Sequence, residues 1–380
     1  MASFLALLLR GLVCTSSLTT VFGIQFDDIY EVIGPNSPSP KYGVCDAGQA
    51  SEIEGYYQDL VDLVDAGLRL FADFRVRAST ETDRGAAIRQ EIALETIVAF
   101  FGIYPGNSNP NDGIGAYDTG LNGAENARIA YVEDVLQRTS DLLTNGPSGS
   151  DPKVTVHCGD DWLLIFGPED DYVDPATGQH YPDPHGVPYT FEDFPSLRPR
   201  FYDRNIQGQE VRNQNWAIYT LPIPSRFVIE ADPDVDPDSE GPEERTFCDD
   251  GDEGFSFSDW RAITLCQYLF DGANQANLFR GSIPQPGQGY NTLAYRYSRS
   301  SVFLHETIHQ ILGPDNNRVG VEEIYGASNC LTHARSDRDR VLGNPESWMY
   351  FCVAAFSSEQ ARNYNGQYVS YATGTGVLLT

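Results

Sequence analysis

His305, Glu306 and His309 are the residues of this chain whose types and spacing could do chemistry together. They lie in the run Ser301-Val302-Phe303-Leu304-His305-Glu306-Thr307-Ile308-His309, which reads as a helix. Residues four apart on a helix share a face, so two imidazole nitrogens can aim at one ion. Glu306 is turned away by about 100°, within reach of a water beside that ion but badly placed to ligate it. Zinc suits the pattern, because it accepts two His and a carboxylate and keeps a fourth position open for water. Such an ion lowers the pKa of its water toward ~7, and Glu306 would take the proton as that water attacks a polarised carbonyl. The plainer alternative is an amphipathic helix with Val302, Phe303, Ile308 and Ile311 packed inward and both imidazoles satisfied locally.

Two histidines do not complete a metal site, and the third ligand has to come from downstream. The candidates are Asp315, Glu322, Glu323, His333 and Glu346. Asp315, beside Pro314, also reads as a turn former. His333 lacks the Gly-containing spacing that turns a chain back in three-His sites. A helix starting near Gly320 would put Glu322 and Tyr325 on one face, with Glu323 about 100° off it. Glu346 reads as a partner that orients a ligand.

The surrounding elements have to position these groups. Apolar residues at helical spacing predict helices from about residue 51, over 85–101, over 125–143 and over 345–361. A further helix over 257–270 would carry Cys266, and another would start near Gly320 and run through Cys330. Gly313-Pro314 is a stop signal for the His-bearing helix. Val154 to His157 and Trp162 to Phe166 read as strands, as do Ala217 to Leu221 and Arg226 to Glu230 around a Pro-containing turn. Residues 104–123, 167–200, 231–254 and 281–290 read as loops. His180 and His185, in the second of these, are weak metal-ligand candidates against a plain surface loop.

Composition sets the class. A chain of 380 residues can bury a sizeable core, and 41% hydrophobic residues fit a globular protein. A net charge of −29, with Lys41 and Lys153 the only lysines, argues against nucleic-acid binding and favours basic partners. No stretch approaches the ~18 apolar residues of a membrane span. Residues 1–23 read as a secretory signal peptide, with an apolar run from Phe4 to Leu9 interrupted at Arg10. Beyond Cys14 remain Cys45, Cys158, Cys248, Cys266, Cys330 and Cys352, six cysteines that in a secreted chain predict three disulfides.

Val319-Gly320-Val321-Glu322-Glu323-Ile324-Tyr325-Gly326 resembles the Gly-Thr-x-Asp-x-x-Tyr-Gly motif of the deuterolysins, the aspzincin family of fungal zinc endopeptidases. The motif's Asp falls on Glu322, one methylene longer, and its Tyr-Gly on Tyr325-Gly326. Four more segments are similar in order: residues 96–101, Val156 to Asp160, Tyr219-Thr220-Leu221-Pro222 followed by Phe227-Val228-Ile229, and Asn344-Pro345-Glu346-Ser347-Trp348. The resemblance implies an α+β fold, a mainly helical zincin-like catalytic domain with a small antiparallel sheet. It implies zinc on His305, His309 and Glu322, with Glu306 as general base and Tyr325 stabilising the oxyanion. It also implies Cys248–Cys266 and Cys45–Cys158 bridges, which leaves Cys330–Cys352 as the third pair.

The resulting expectation is one domain over 24–380, with acidic loop insertions near 167–200 and 231–254. It is a secreted, monomeric zinc endopeptidase acting on proteins or peptides, basic ones above all, without nucleic-acid or membrane partners. The alternative is a relative that no longer cleaves and serves as a secreted binding protein. Glu306, the general base, argues against that alternative.

Overall fold

The computed structural model describes residues 24–35, 43–75, 84–104, 123–204, 207–212, 215–221, 227–231, 245–248, 251–272, 274–281, 292–313 and 323–379. The expected signal peptide and most of the 104–123, 231–254 and 281–290 runs lie outside these residues. The chain opens with α1 (Phe26–Ile29) and β1 (Tyr30–Val32), then three long helices, α2 (Ala47–Arg75), α3 (Arg84–Phe101) and α4 (Gly123–Asn145). Next come β2 (Val154–Cys158), β3 (Leu163–Phe166), α5 (Arg198–Phe201), β4 (Tyr202–Arg204), β5 (Glu210–Arg212), β6 (Asn215–Thr220) and β7 (Phe227–Ala231). The site-bearing half holds β8 (Gly254–Phe257), β9 (Ala262–Leu265), α6 (Gln267–Asp271), α7 (Leu293–Arg296) and α8 (Arg299–Leu312). It closes with α9 (Ala327–Ser336), α10 (Arg338–Leu342), α11 (Pro345–Asn365), β10 (Tyr368–Ser370) and β11 (Val377–Leu379).

The class is α+β, as expected. The long helices form because their apolar residues recur at three and four. In α2, Ile53, Tyr56, Leu60, Leu63, Val64, Gly67, Leu70 and Phe71 make one buried stripe. Helices α2, α3, α4, α8 and α11 pack together, and α8 also lies against β8. Gly67 is where α2 approaches α11 closely, since a Cβ there would stand 3.2 Å from Cys352 Sγ.

The sheet beside α8 has the order β1-β2-β9-β8. It is mixed: β1, β2 and β9 run parallel, and β8 pairs antiparallel with β9 at the edge. The helix expected over 257–270 is not formed. That stretch is the end of β8, a 3-10 turn at Ser258–Trp260 reversed by Arg261 at φ 50°, β9, and the start of α6. All four residues of β9 are buried. A strand covered on both faces shows no alternation, so its short apolar run cannot be told from helix by pattern.

The strands expected near β3, β6 and β7 form an antiparallel sheet in the order β3-β6-β7. Its period-two alternation feeds two small cores. Ile165 and Ile218 pack with Trp162, Phe257 and Trp260 on one side, while Phe166, Ala217 and Tyr219 pack with Tyr172, Phe191 and Phe201 on the other. The stretch 167–200, expected as an irregular acidic loop insertion, therefore contributes Tyr172, Val173 and Phe191 to a core shared with this sheet. His180 and His185 within it are exposed, and His180 Nδ1 lies 4.0 Å from Asp171.

Disulfides join Cys45 to Cys158 and Cys248 to Cys266, as expected. The third expected bridge is absent. Cys330 and Cys352 are free and buried. Cys330 Sγ faces the Ile324 carbonyl and Asn344, whereas Cys352 Sγ faces α2 at Gly67, so the two thiols serve different contacts.

Candidate metal centre

Helix α8 starts on a reciprocal cap. Ser298 Oγ accepts from Ser301 N at 3.2 Å, and Ser301 Oγ accepts from Ser298 N at 2.8 Å. It ends at Gly313, whose φ of 66° only glycine adopts freely. Between these ends Ser300, Ser301, His305, Glu306 and Thr307 are buried. Buried polar groups cost stability unless partnered. Most find partners: Thr307 bonds the Phe303 carbonyl and Tyr30, and Ser256 Oγ of β8 donates to the Glu306 carbonyl at 3.2 Å. The functional ends of His305, Glu306 and His309 turn instead toward one another.

The donor atoms of His305, Glu306 and His309 all lie within 4.8 Å of one another, and this buried group could hold a metal ion. His305 Nε2 and His309 Nε2 are 3.1 Å apart. A third donor stands against both. Glu323 Oε1 lies 3.1 Å from His305 Nε2 and 3.4 Å from His309 Nε2. These separations match the ~3.3 Å edge of a tetrahedron drawn around an ion with ~2.0–2.1 Å bonds.

Glu346 Oε2, from the first turn of α11, lies 2.8 Å from His305 Nδ1. A proton on Nδ1 satisfies that contact and leaves the neutral ring's Nε2 as a lone pair directed at His309 and Glu323. Glu306 Oε2 is buried without a hydrogen-bond partner. That orphaned oxygen, Glu323 Oε1 and two converging imidazole nitrogens are a donor set that fits a divalent cation.

Without a metal, the electrostatics favour protons. Burial opposes charge on His305, but Glu323, then Glu346 and Glu306, raise its pKa well above the usual imidazole value. Burial raises Glu306. Burial works the same way on Glu323, yet the two imidazoles hold its carboxyl well below the usual range. A metal and these protons compete for the same lone pairs.

Glu322, the carboxylate the sequence favoured as third ligand, lies outside the described residues. That preference assumed a helix running from residue 320 through Cys330. Residues 323–325 are not helical, and α9 begins at Ala327 after Gly326 at φ 82°. The helix-face comparison between the two glutamates therefore does not apply, and among the described residues Glu323 is a carboxylate that meets both imidazoles. Tyr325 is 62% exposed, with its ring parallel to that of His305 at 6.3 Å. Its hydroxyl donates to Glu323 Oε2 at 2.8 Å. The phenol's pKa is raised, by desolvation of the hydroxyl and then by the charge of Glu323. Glu346, expected to orient a ligand, reaches His305 Nδ1 through one carboxylate oxygen. His333 lies on α9 outside the convergent group.

Sequence reading quoted Asn344 in a family-like segment but gave it no role; it is a buried residue bonded to the backbone of Ile324. The signal for it was faint: a lone Asn before a Pro at a helix start reads as an ordinary cap. No protein-family model matches the chain, and no curated protein matches it in sequence.

Proposed function

We propose that the chain is a secreted zinc endopeptidase, with His305, His309 and Glu323 as zinc ligands. The observation that carries this reading is the mutual approach of His305 Nε2, His309 Nε2 and Glu323 Oε1 at 3.1–3.4 Å beside a buried, partnerless Glu306 oxygen. Bound there, the ion supplies Lewis acidity, polarising a carbonyl and making water a nucleophile near neutral pH. Glu306 is the only acid of the helix motif and takes the proton of the attacking water. Burial raises its pKa, which makes the carboxylate a better proton acceptor and, once protonated, a donor to the leaving amine.

The edge strand β8 supplies a place for an extended peptide. Among the described residues no strand pairs with its outer side. An ideal Cβ at Gly254 would stand 3.5 Å from Glu306 Oε1, so a peptide added to this edge would run past the general base. Main-chain pairing of this kind binds a polypeptide with little regard to sequence. Tyr325, an exposed residue stacked beside His305, offers a phenol that bonds Glu323.

The deuterolysin-like segments found in order along the chain support the same reading. So do the two disulfides, which favour an oxidising compartment, and no described helix is long and apolar enough to cross a membrane. The test is metal analysis of purified protein, with casein cleavage assayed with and without a chelator. One zinc per chain and chelator-sensitive cleavage are expected. Metal-free protein, or cleavage indifferent to the chelator, would overturn the reading.

A further inference from the structure

Asn344 occupies the N-cap position of α11, yet its side chain makes no capping hydrogen bond to that helix. Asparagine is favoured at N-caps because its side-chain oxygen satisfies an orphan N–H of the first turn. Here the amide caps no backbone N–H of that helix and is used on other partners. Oδ1 accepts from Ile324 N at 3.0 Å, and Nδ2 donates to the Ile324 carbonyl at 3.1 Å. Nδ2 also reaches Ser347 Oγ at 3.0 Å and Cys330 Sγ at 3.7 Å. The side chain is 4% exposed. It pairs with the backbone of a single residue as a neighbouring strand would, meeting both its donor and its acceptor.

That residue lies between Glu323 and Tyr325. Two positions on, Gly326 N donates to Glu346 Oε1 at 3.1 Å, while the other oxygen of Glu346 holds His305. The non-helical segment 323–326 is thus pinned at Ile324 and Gly326 by two side chains from the start of α11. We propose that Asn344 is a positioning residue for the metal centre: by clamping the backbone of Ile324 at both its N–H and its carbonyl it fixes where Glu323 meets His305 and His309. This rests on the metal-site reading above. Partners that orient a ligand commonly govern affinity by 10–100-fold.

The test measures zinc affinity of the folded full chain by competition with a chromophoric chelator, and records the visible spectrum of the cobalt-substituted protein. Three variants are compared with wild type: Asn344→Ala, Asn344→Asp and Ile97→Ala. Ile97 is a fully buried core residue of α3, so its truncation controls for lost stability alone. Asn344→Ala is expected to weaken zinc 10–100-fold and shift the cobalt bands. Asn344→Asp keeps the acceptor for Ile324 N but loses both donors, so a smaller weakening is expected. Ile97→Ala should lower the melting temperature with affinity and spectrum unchanged. If Asn344→Ala does not fold, the Asp variant decides. The proposal is overturned if the Asn344 variants bind within twofold of wild type, or if Ile97→Ala weakens zinc as much. Wild-type protein that binds no zinc would instead remove the metal-site reading itself.

Discussion

Glu346 and His305 are 41 residues apart in sequence and 2.8 Å apart in space, carboxylate oxygen to Nδ1. The contact ties the first turn of α11 to the middle of α8, two helices that pack along the core. It fixes the tautomer that leaves His305 Nε2 free to face Glu323. Every prediction about the site depends on this orientation.

Glu306→Gln should keep zinc at one per chain and lower kcat/KM by ~10²–10⁴-fold, the usual worth of a general base. The amide retains size and polarity but accepts no proton. Zinc quantitation beside a peptide-cleavage assay checks both halves. Unchanged turnover in a zinc-loaded variant would sink the proton-acceptor role.

Alanine at Glu322, Glu323 and Glu346 should separate ligand from support. Glu323→Ala is expected to lose the metal on dialysis. Glu346→Ala should retain it with affinity weakened ~10–100-fold, because a ligand's orienting partner is removed rather than the ligand. Glu322→Ala should bind as wild type does. If Glu322→Ala alone loses zinc, the ligand set proposed here is wrong.

The contrast between these glutamates shows how far the sequence reaches. The His305–His309 pair was legible because a four-residue spacing on a helix dictates a common face, and α8 is a helix with strong boundary signals. The long helices were legible for the same reason. The carboxylate that meets the two imidazoles was not, because the chain from Glu323 to Tyr325 is non-helical and is held at Ile324 and Gly326 by Asn344 and Glu346, some twenty residues away. Strand β9 was hidden by burial on both faces. The third disulfide failed by parity alone: an even cysteine count invites pairing, but packing placed Cys330 against Ile324 and Cys352 against Gly67.

Two thiols should therefore titrate in the unreduced protein lacking residues 1–23, and only after unfolding. Both are buried, and burial pushes each thiol up to about 12, so neither supplies thiolate in the native state. A native-state reaction with a thiol reagent, or a Cys330–Cys352 bridged peptide in a non-reduced digest, would contradict this arrangement.

His157 should make the fold acid-sensitive. Its ring stacks on Trp162 at 4.0 Å, Nδ1 has no partner, and burial lowers its pKa to about 4. An unfolded histidine titrates near 6.5, so the unfolded chain binds the proton first as pH falls. The stability linked to the neutral ring is full above about 6.5 and is lost progressively toward pH 4. Linkage puts the loss near ~2 kcal/mol by pH 5. His157→Phe keeps an aromatic ring on Trp162 and removes this contribution. Urea unfolding with chelator present, at pH 7 and pH 5, should show wild type losing about that much more than the variant. Equal losses would mean His157 is not desolvated as described.

Cationic substrates should be cleaved faster than neutral or acidic ones of matched length. A net charge of −29 creates a negative field around the molecule, which raises encounter rates for positive chains and is screened by salt. Buried Glu306 and Glu346 and partly buried Glu323 line the centre itself, and a bound divalent ion would offset only part of their charge. The preference should therefore appear in kcat/KM rather than kcat, and shrink between 20 mM and 500 mM salt as the screening length drops from about 20 Å to about 4 Å. Two lysines in 380 residues also leave the chain a poor target for a Lys-directed neighbour of its own kind. Digestion of a mixed proteome at the two salt levels, with new termini identified by mass spectrometry, reads out the bias. Cleavage sites indifferent to Lys and Arg at low salt would refute electrostatic selection.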